Sequence, residues 1–305
     1  MCKGAVLMIW VVGVEGQLGH ELKCLLTSES LERESVFTAV HECDITKIDT
    51  IRAVVKKHPA IKTIVNCAAY TAVEKAGEES QRAFAVNSEG PGNLAKVAAE
   101  FDLTLFHIST DYIFSGKHFT PYKEEDDASP LSAYGASKWQ GELAVRAFAS
   151  RSVVIRTSWL YSSYGHNFVK IILEKAKKSA DANANANVNN GNLRVVYDQI
   201  GSPTFAGDLA AAILEISKRE LQGHAIYNYT NEGITSWYDF AKAIVEIEGI
   251  ECEITPILSS EYPSKVERPM YSVLNKSKIK QEIGIKIPHW RESLKRCLCQ
   301  IQKRS

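Results

Sequence analysis

Short apolar runs alternate with helix-patterned stretches over the first half of the chain, and that alternation limits the fold more than any other feature. The runs are "AVLMIWVVG" (5–13), "SVFTAV" (35–40), "KTIVNCAA" (62–69), "LTLFHIST" (103–110) and "SVVIRTSWL" (152–160). Between them lie helical patterns through "LGHELKCLL", around 47–58, over 81–100 and in the segment opened by Tyr134. Near-continuous apolar runs of this length suit strands buried on both faces. Strands separated by helices are joined by right-handed crossovers in a parallel sheet, so the expected class is α/β with a doubly wound parallel sheet.

The first strand runs into "VVGVEGQLGHE", where Gly13, Gly16 and Gly19 fall at the start of a helix. Small residues there let backbone approach a pyrophosphate, and the free N–H groups of a helix start attract it. A glycine pattern gains meaning from a strand before it and a helix after it, and this one has both. Its spacing is G-x-x-G-x-x-G, not the G-x-G-x-x-G of simple dehydrogenases. Asp44 in "CDIT" follows the second strand, where the adenine end of a dinucleotide would lie. At the strand end itself, "VHEC" offers no Arg for a 2′-phosphate, and Glu42 is close without a defined register, so NADH and NADPH both stay open.

After about residue 160 the alternation loosens. Residues 1–155 are expected to form the dinucleotide-binding Rossmann domain, with the chain returning to it around 194–222. Residues 156–305 would form mainly a smaller α/β substrate domain. Strand candidates there are "LRVVYD" and "AIYNYT", with helices near 206–219 and 236–248. The low-complexity "SADANANANVNNGN" (179–192) has almost no apolar bulk and reads as a mobile solvent loop of no consequence for chemistry. "YPSKVERPMYSVLN" (262–275), with Pro263 and Pro269, is loop-rich material suited to closing over a substrate.

Charge excludes several partners. Lys plus Arg and Asp plus Glu are both 36, a formal net charge of zero, which gives no reason to expect a nucleic-acid or anionic-membrane surface. The seven cysteines are scattered, without a Cys-x-x-Cys pair or zinc spacing, as expected of free thiols in a cytoplasmic protein. No apolar run approaches the roughly 20 residues of a membrane span.

Strand "LFHIST" ends in Ser109–Thr110, at the edge where such sheets bind ligands. Downstream, "SAYGASKWQGE" holds Tyr134 and Lys138 four positions apart, on one face of a helix. A phenol with a pKa near 10 is a poor acid–base group at neutral pH. A neighbouring ammonium is expected to bring the Tyr134 pKa towards the working range. A Thr hydroxyl can hold a substrate oxygen in line for the proton. Glycine turn, Thr110, Tyr134 and Lys138 together describe a hydride-transfer site.

These segments resemble the extended short-chain dehydrogenase/reductase family, and within it the keto-sugar-nucleotide reductases of dTDP-L-rhamnose synthesis. The resemblance runs from about residue 8 to 290 and is carried by "GVEGQLGHEL", "NCAAYTAVEKAGEE", "STDYIFSG", "SAYGASKWQGE", "IRTSWLY", "DQIGSPT" and "RP". It implies NAD(P)H-dependent reduction of the C4 keto group of dTDP-4-dehydro-L-rhamnose. Tyr134 would donate the proton, Lys138 would lower the Tyr pKa and bind the nicotinamide ribose, and Thr110 would hydrogen-bond the keto oxygen. Gly13, Gly16, Gln17, Leu18, Asp44, Ile45, Ala68, Ala69 and Tyr70 would line the cofactor cleft. Val73, Tyr112 and Trp159 would contact sugar or nucleotide, with Gln199, Thr204 and Arg268 on the nucleotide side.

Dehydratases of this family carry Thr-Asp-Glu where this chain has Thr110-Asp111-Tyr112, so elimination lacks its base. The alternatives are another sugar-nucleotide reductase or epimerase, and a non-catalytic partner protein resembling the regulatory β subunit of methionine adenosyltransferase. Asn87 is expected to tie backbone together and His107 to lie in the core. Glu21 is a candidate carboxylate for a divalent ion such as Mg2+. A monomer or homodimer is expected.

Overall fold

A computed structural model of the chain describes residues 8–28, 35–184 and 192–304. Five strands come first: β1 (Met8–Val12), β2 (Ser35–Thr38), β3 (Ile61–Asn66), β4 (Thr104–Thr110) and β5 (Arg151–Thr157). Around them lie α1 (Gln17–Ser28), α2 (Ile48–Lys57), α3 (Ser80–Phe84), α4 (Gly90–Glu100) and α5 (Ala133–Phe148). Then follow β6 (Leu160–Tyr161), α6 (Phe168–Ala184), β7 (Leu193–Val196), β8 (Ile200–Gly201), β9 (Thr204–Phe205), α7 (Ala206–Ser217) and β10 (His224–Asn228). The last elements are β11 (Thr235–Ser236), α8 (Trp237–Glu248), β12 (Ile254–Ile257), α9 (Ser277–Ile283) and α10 (Trp290–Gln302).

Six strands form one wholly parallel sheet in the order β2-β1-β3-β4-β5-β10. Successive side chains of a strand point to opposite faces. On β1, Ile9 and Val11 therefore join a core made with α1, α7 and α9, while Trp10 and Val12 join a second core made with α2, α4 and α5. Both faces of the sheet are covered, which is why its strands read as unbroken apolar runs. Burying a side chain such as Leu22 or Ile213 contributes about 1.5–3 kcal/mol. Strand order reverses between β1 and β3, and the crevice above their carboxyl ends is the natural ligand site of such a sheet. The pairings Val12 with Asn66 and Thr110 with Thr157 bring the ends of these strands to one rim.

A third core lies beside the sheet, where α6, α8, α10, β7 and β12 bury Val169, Leu193, Phe240, Ile244, Ile254 and Leu294. The chain does not stay there once it has entered. β10 supplies the sheet's edge strand, and Ile279 and Ile283 of α9 pack under the sheet with α1 and α7.

Two local readings change. The helix expected over 81–100 contains a single π turn, Ala85–Glu89, between α3 and α4. The loop expected over 179–192 is helical through Ala184, because the alanines of its first half extend α6 at little cost. Its remainder, 185–191, lies outside the described residues. Among the described residues no helix is long and apolar enough to cross a membrane.

Candidate active site

Helix α5 begins where Ser132 Oγ accepts the Gly135 N–H at 3.1 Å, a side-chain cap that sets the first turn and so aims Tyr134. One turn on, Lys138 is 2 % exposed and its ammonium donates to the Ile108 carbonyl of β4 at 2.6 Å. Burial brings Lys138 down to about 8, opposed by the nearby carboxylate of Glu142. Glu142 is itself buried in an ion pair with Arg156 at 2.8 Å and accepts the Ser109 hydroxyl. This layer under β4 and β5 anchors the helix that carries the Tyr.

The expected lowering of the Tyr134 pKa does not occur in this geometry. Its low-dielectric surroundings push the phenol up to about 12, the Thr110 hydroxyl beside it opposes the rise, and Asp111 adds to it. The Lys138 ammonium points its hydrogen bond at the Ile108 carbonyl instead. A phenol held neutral still carries a proton to give, and it is more acidic than the alcohol that carbonyl reduction forms.

Thr110 ends β4 with extended backbone, and its Oγ1 accepts the Tyr112 N–H at 3.2 Å and stands 3.1 Å from Asp111 Oδ1. Asp111 is buried and its pKa is pushed up to about 7. The Tyr112 ring meets that of Tyr134 edge-on, with centroids 5.5 Å apart. Thr110 and Tyr134 thus meet at the sheet's rim, with the Tyr112 ring against that of Tyr134.

The glycine turn fits a dinucleotide. Gly13 has φ +81°, donates its N–H to Thr38 O at 2.9 Å, and faces Ala68 so closely that an added Cβ would sit 2.7 Å from Ala68 N. This bare backbone lies in the crevice between β1 and β3, with the unpaired N–H groups of the first turn of α1 beside it. Gly16 N donates to Gly13 O at 3.2 Å. Gln17 accepts from Asn167 at 3.0 Å, tying the turn to the loop before α6. Across the crevice, Asn87 on the π turn clamps Tyr70 through both its N–H (2.8 Å) and its carbonyl (3.0 Å), which fixes the Ala68-Ala69-Tyr70 wall. His107 is a core residue paired with Asn66 at 3.1 Å.

Several expected cofactor contacts have other work. Leu18 and Ile45 are core side chains, so only their backbone can face the cleft. Asp44 Oδ1 accepts Thr46 N at 3.0 Å and Thr46 Oγ1 at 2.7 Å, while Oδ2 stands 3.5 Å from the Lys47 ammonium. Glu42 accepts Ala39 N at 2.8 Å at the end of β2. Glu21 is buried against Ser162, and no group of three or more His, Cys, Asp or Glu among the described residues could hold a metal ion, so Mg2+ gains no support.

On the sugar side, Trp159 is half-buried with φ +48°, a strained conformation for a bulky residue, and stacks on Trp237 at 3.6 Å. Its other close neighbour is Gly201, where a Cβ would lie 2.6 Å from the indole. Arg268 reaches Glu74 at 2.6 Å, next to Val73, and its charge is felt by Tyr112. Gln199 donates to Ser259 at 3.0 Å. Thr204 is wholly buried and accepts from Thr157 at 3.2 Å.

A family model described as "RmlD substrate binding domain" matches residues 7–303. The chain belongs to this family. It is 36% identical over 296 residues, 93% of this chain and 96% of the relative, to dTDP-4-dehydrorhamnose reductase of Aggregatibacter actinomycetemcomitans. A solved dTDP-4-dehydrorhamnose reductase from Clostridium acetobutylicum superposes with a TM-score of 0.87 at 35% identity, covering 96% of this chain and 99% of that one. The Bacillus anthracis dTDP-4-dehydrorhamnose reductase, solved in complex with NADP, also gives 0.87, at 31% identity and 96% and 98% coverage.

Set in the RmlD family, the expected residues form two groups. Thr110, Tyr112, Tyr134 and Lys138 come together at the end of β4, and Gly13, Ala68 and Tyr70 at the β1/β3 crevice. Sequence reasoning passed over Trp237, Glu74 and Asp111 as parts of the site. Only Asp111, next to Thr110, carried a usable signal.

Proposed function

We propose that the protein reduces the C4 keto group of dTDP-4-dehydro-L-rhamnose to give dTDP-L-rhamnose, using NADPH. The observation that carries this reading is the meeting of Thr110 and Tyr134 at the carboxyl end of β4, with Lys138 buried one turn below. Relatives named dTDP-4-dehydrorhamnose reductase that align over nearly the whole chain support the substrate. The NADP complex of the Bacillus anthracis relative supports the cofactor. In this chain no Arg stands at the end of β2, so NADH belongs in the same test.

The dinucleotide would be held by the Gly13–Leu18 turn and the Ala68–Tyr70 wall, and when bound it supplies hydride. Thr110 donates a hydrogen bond to the keto oxygen and holds it beside Tyr134. Tyr134, neutral at working pH, passes its phenolic proton to that oxygen as negative charge develops there. Lys138 keeps a positive charge under the site and would hold the nicotinamide ribose of a bound dinucleotide. Trp159, stacked on Trp237, offers an aromatic face to the sugar, and Arg268 offers paired donors to the diphosphate. Val73, Tyr112 and Gln199 complete the sugar-nucleotide contacts.

Residues 1–155 then serve mainly the cofactor and 156–305 mainly the sugar nucleotide, apart from the segments that return to the sheet. The six cysteines among the described residues are free thiols, in keeping with a cytoplasmic enzyme. On separate grounds, those of family resemblance alone, we take it to act as a monomer or homodimer. The test mixes the protein with the keto-sugar nucleotide made in situ and follows NADPH and NADH absorbance, with a Tyr134→Phe control. Oxidation that is lost in the control is expected. Retained cofactor binding without turnover would reject this substrate and turn the search to other keto-sugar nucleotides or to a protein partner.

A further inference from the structure

Thr110 has one hydroxyl hydrogen and two lone pairs to distribute. One lone pair takes the Tyr112 N–H at 3.2 Å. Asp111 Oδ1 stands 3.1 Å from the same oxygen, close enough that one of the two must donate to the other. An ionised carboxylate only accepts, so it would claim the Thr110 hydrogen and leave that hydroxyl nothing to offer a carbonyl. A protonated Asp111 reverses the bond. It fills the second lone pair of Thr110 and turns the hydroxyl hydrogen outward.

The surroundings favour the protonated state. Asp111 is 3 % exposed, and its Oδ2 is buried without a hydrogen-bond partner. A bare buried carboxylate oxygen is costly, whereas a neutral carboxyl is much less so. Burial is the largest influence on it. The hydrogen bonds of the Thr110 and Ser272 hydroxyls and of the Asp111 and Tyr112 amides oppose the rise without cancelling it, and the phenols of Tyr134 and Tyr112 lie beside it. Arg268 acts on the Tyr112 phenol and is paired with Glu74, and Lys138, one turn beyond Tyr134, donates to the Ile108 carbonyl.

We propose that Asp111 is a positioning residue for the reduction: in its neutral form it donates to Thr110 Oγ1 and so frees the Thr110 hydroxyl to bind the keto oxygen. Asp111 keeps its proton throughout, and the proton delivered to the product comes from Tyr134. This inference rests on the reading of Thr110 given above. Burial, which pushes Asp111 up to about 7, sets the pH at which the arrangement is lost.

The test is a double-mutant cycle of Thr110→Val and Asp111→Leu, read as kcat on the keto-sugar nucleotide, with Asp111→Asn as a third variant. Thr110→Val is expected to lower kcat by about 10²-fold, the loss typical of one donor at a developing oxyanion. Asp111→Leu should cost about as much alone and less than about twofold in the Thr110→Val background. Asp111→Asn, whose amide can donate to Thr110, should keep kcat within about tenfold and lose the fall in rate that the wild type shows as pH rises through about 7. Cofactor binding and thermal unfolding confirm that each variant is folded. Should Asp111→Leu misfold, Asp111→Asn with its pH profile carries the test alone. Additive losses in the cycle, or a fall in Asp111→Asn that still sets in near 7 and is not left only at the Lys138 range near 8, would overturn the inference while leaving Thr110 in place. An unaltered kcat in Thr110→Val would remove the reading of Thr110 and this inference with it.

Discussion

Arg268 and Glu74, 194 positions apart in the chain, are joined by a 2.6 Å charge-assisted hydrogen bond beside Tyr112. Glu74 also accepts Ser264 Oγ at 3.0 Å and Lys265 N at 3.2 Å, and Lys265 pairs with Glu78 at 2.9 Å. The loop that brings Arg268 is thereby strapped to the segment that carries Val73. Hydrogen bonds to charged groups are worth about 1.5–3 kcal/mol, so Arg268→Ala should raise KM for the sugar nucleotide by about 10- to 100-fold. Its effect on kcat should be smaller. Steady-state kinetics decide this, and an unchanged KM would remove Arg268 from the diphosphate site.

Tyr134 and Lys138 respond to pH in separate ranges. Tyr134→Phe should cut kcat by about 10²- to 10⁴-fold while leaving dinucleotide affinity nearly intact. The Tyr134 phenol stays neutral up to about 12 and gives no pH dependence near neutrality. Burial lowers Lys138 to about 8, so its charge is present below that pH and is lost as pH rises through it. A pH–rate profile of Asp111→Asn should therefore keep one alkaline fall near 8, and Lys138→Met should remove it.

Asp111 also leaves a mark on stability. Its folded pKa is raised from 3.8 to about 7, so between those values the folded chain holds a proton that the unfolded chain has released. The stability from this group is fully present below 3.8 and is lost as pH rises through about 7. Asp111→Asn should raise Tm by a few degrees, on the order of a 1 kcal/mol gain, at pH 8. The gain should vanish near pH 4. Equal Tm differences at both pH values would contradict the raised pKa.

The Glu142–Arg156 pair, 3 % and 2 % exposed, is a stability determinant through its partner requirement. Removing one member leaves an uncompensated buried charge, and Arg156→Leu should cost about 3–5 kcal/mol in urea unfolding. Replacing both by Leu should recover much of that loss. The double variant would still take the supporting carboxylate from Lys138, so its alkaline fall should move to lower pH.

Gly13→Ala should raise the dinucleotide Kd by about tenfold or more, roughly 1.4 kcal/mol, because the added carbon meets Ala68 N at 2.7 Å and φ is +81°. Gly77→Ala, where nothing lies within 4 Å, is the control and should bind as the wild type does. Fluorescence titration with NADPH compares the two.

The parallel sheet, the glycine turn and the Thr110–Tyr134–Lys138 set were legible because each follows from a local rule. Apolar runs mark buried strands, glycines mark a close approach, and a spacing of four marks one helix face. Asn87 and His107 were legible for the same reason. What escaped depends on contacts across the chain. Trp237 meets Trp159 only because α8 starts beside β8, with Thr235 paired to Gly201. Glu74 meets Arg268 only because the 268–272 segment runs between Gly116 and Ile200, bonded to both. Asp44 was expected to line the cofactor cleft; its bond through Oδ1 to Thr46, two residues on, is a further detail that only the structure shows.

By itself the sequence determined the order of strands and helices, the rim on which the reactive hydroxyls stand, and the family. Tertiary structure alone decided their electrical state. Burial raised Tyr134 where its neighbour Lys138 was expected to lower it, and turned Asp111 from an ordinary acid into one poised near neutrality. Periodicity and spacing are properties of neighbours along the chain, whereas desolvation and hydrogen-bond supply depend on everything packed around a group.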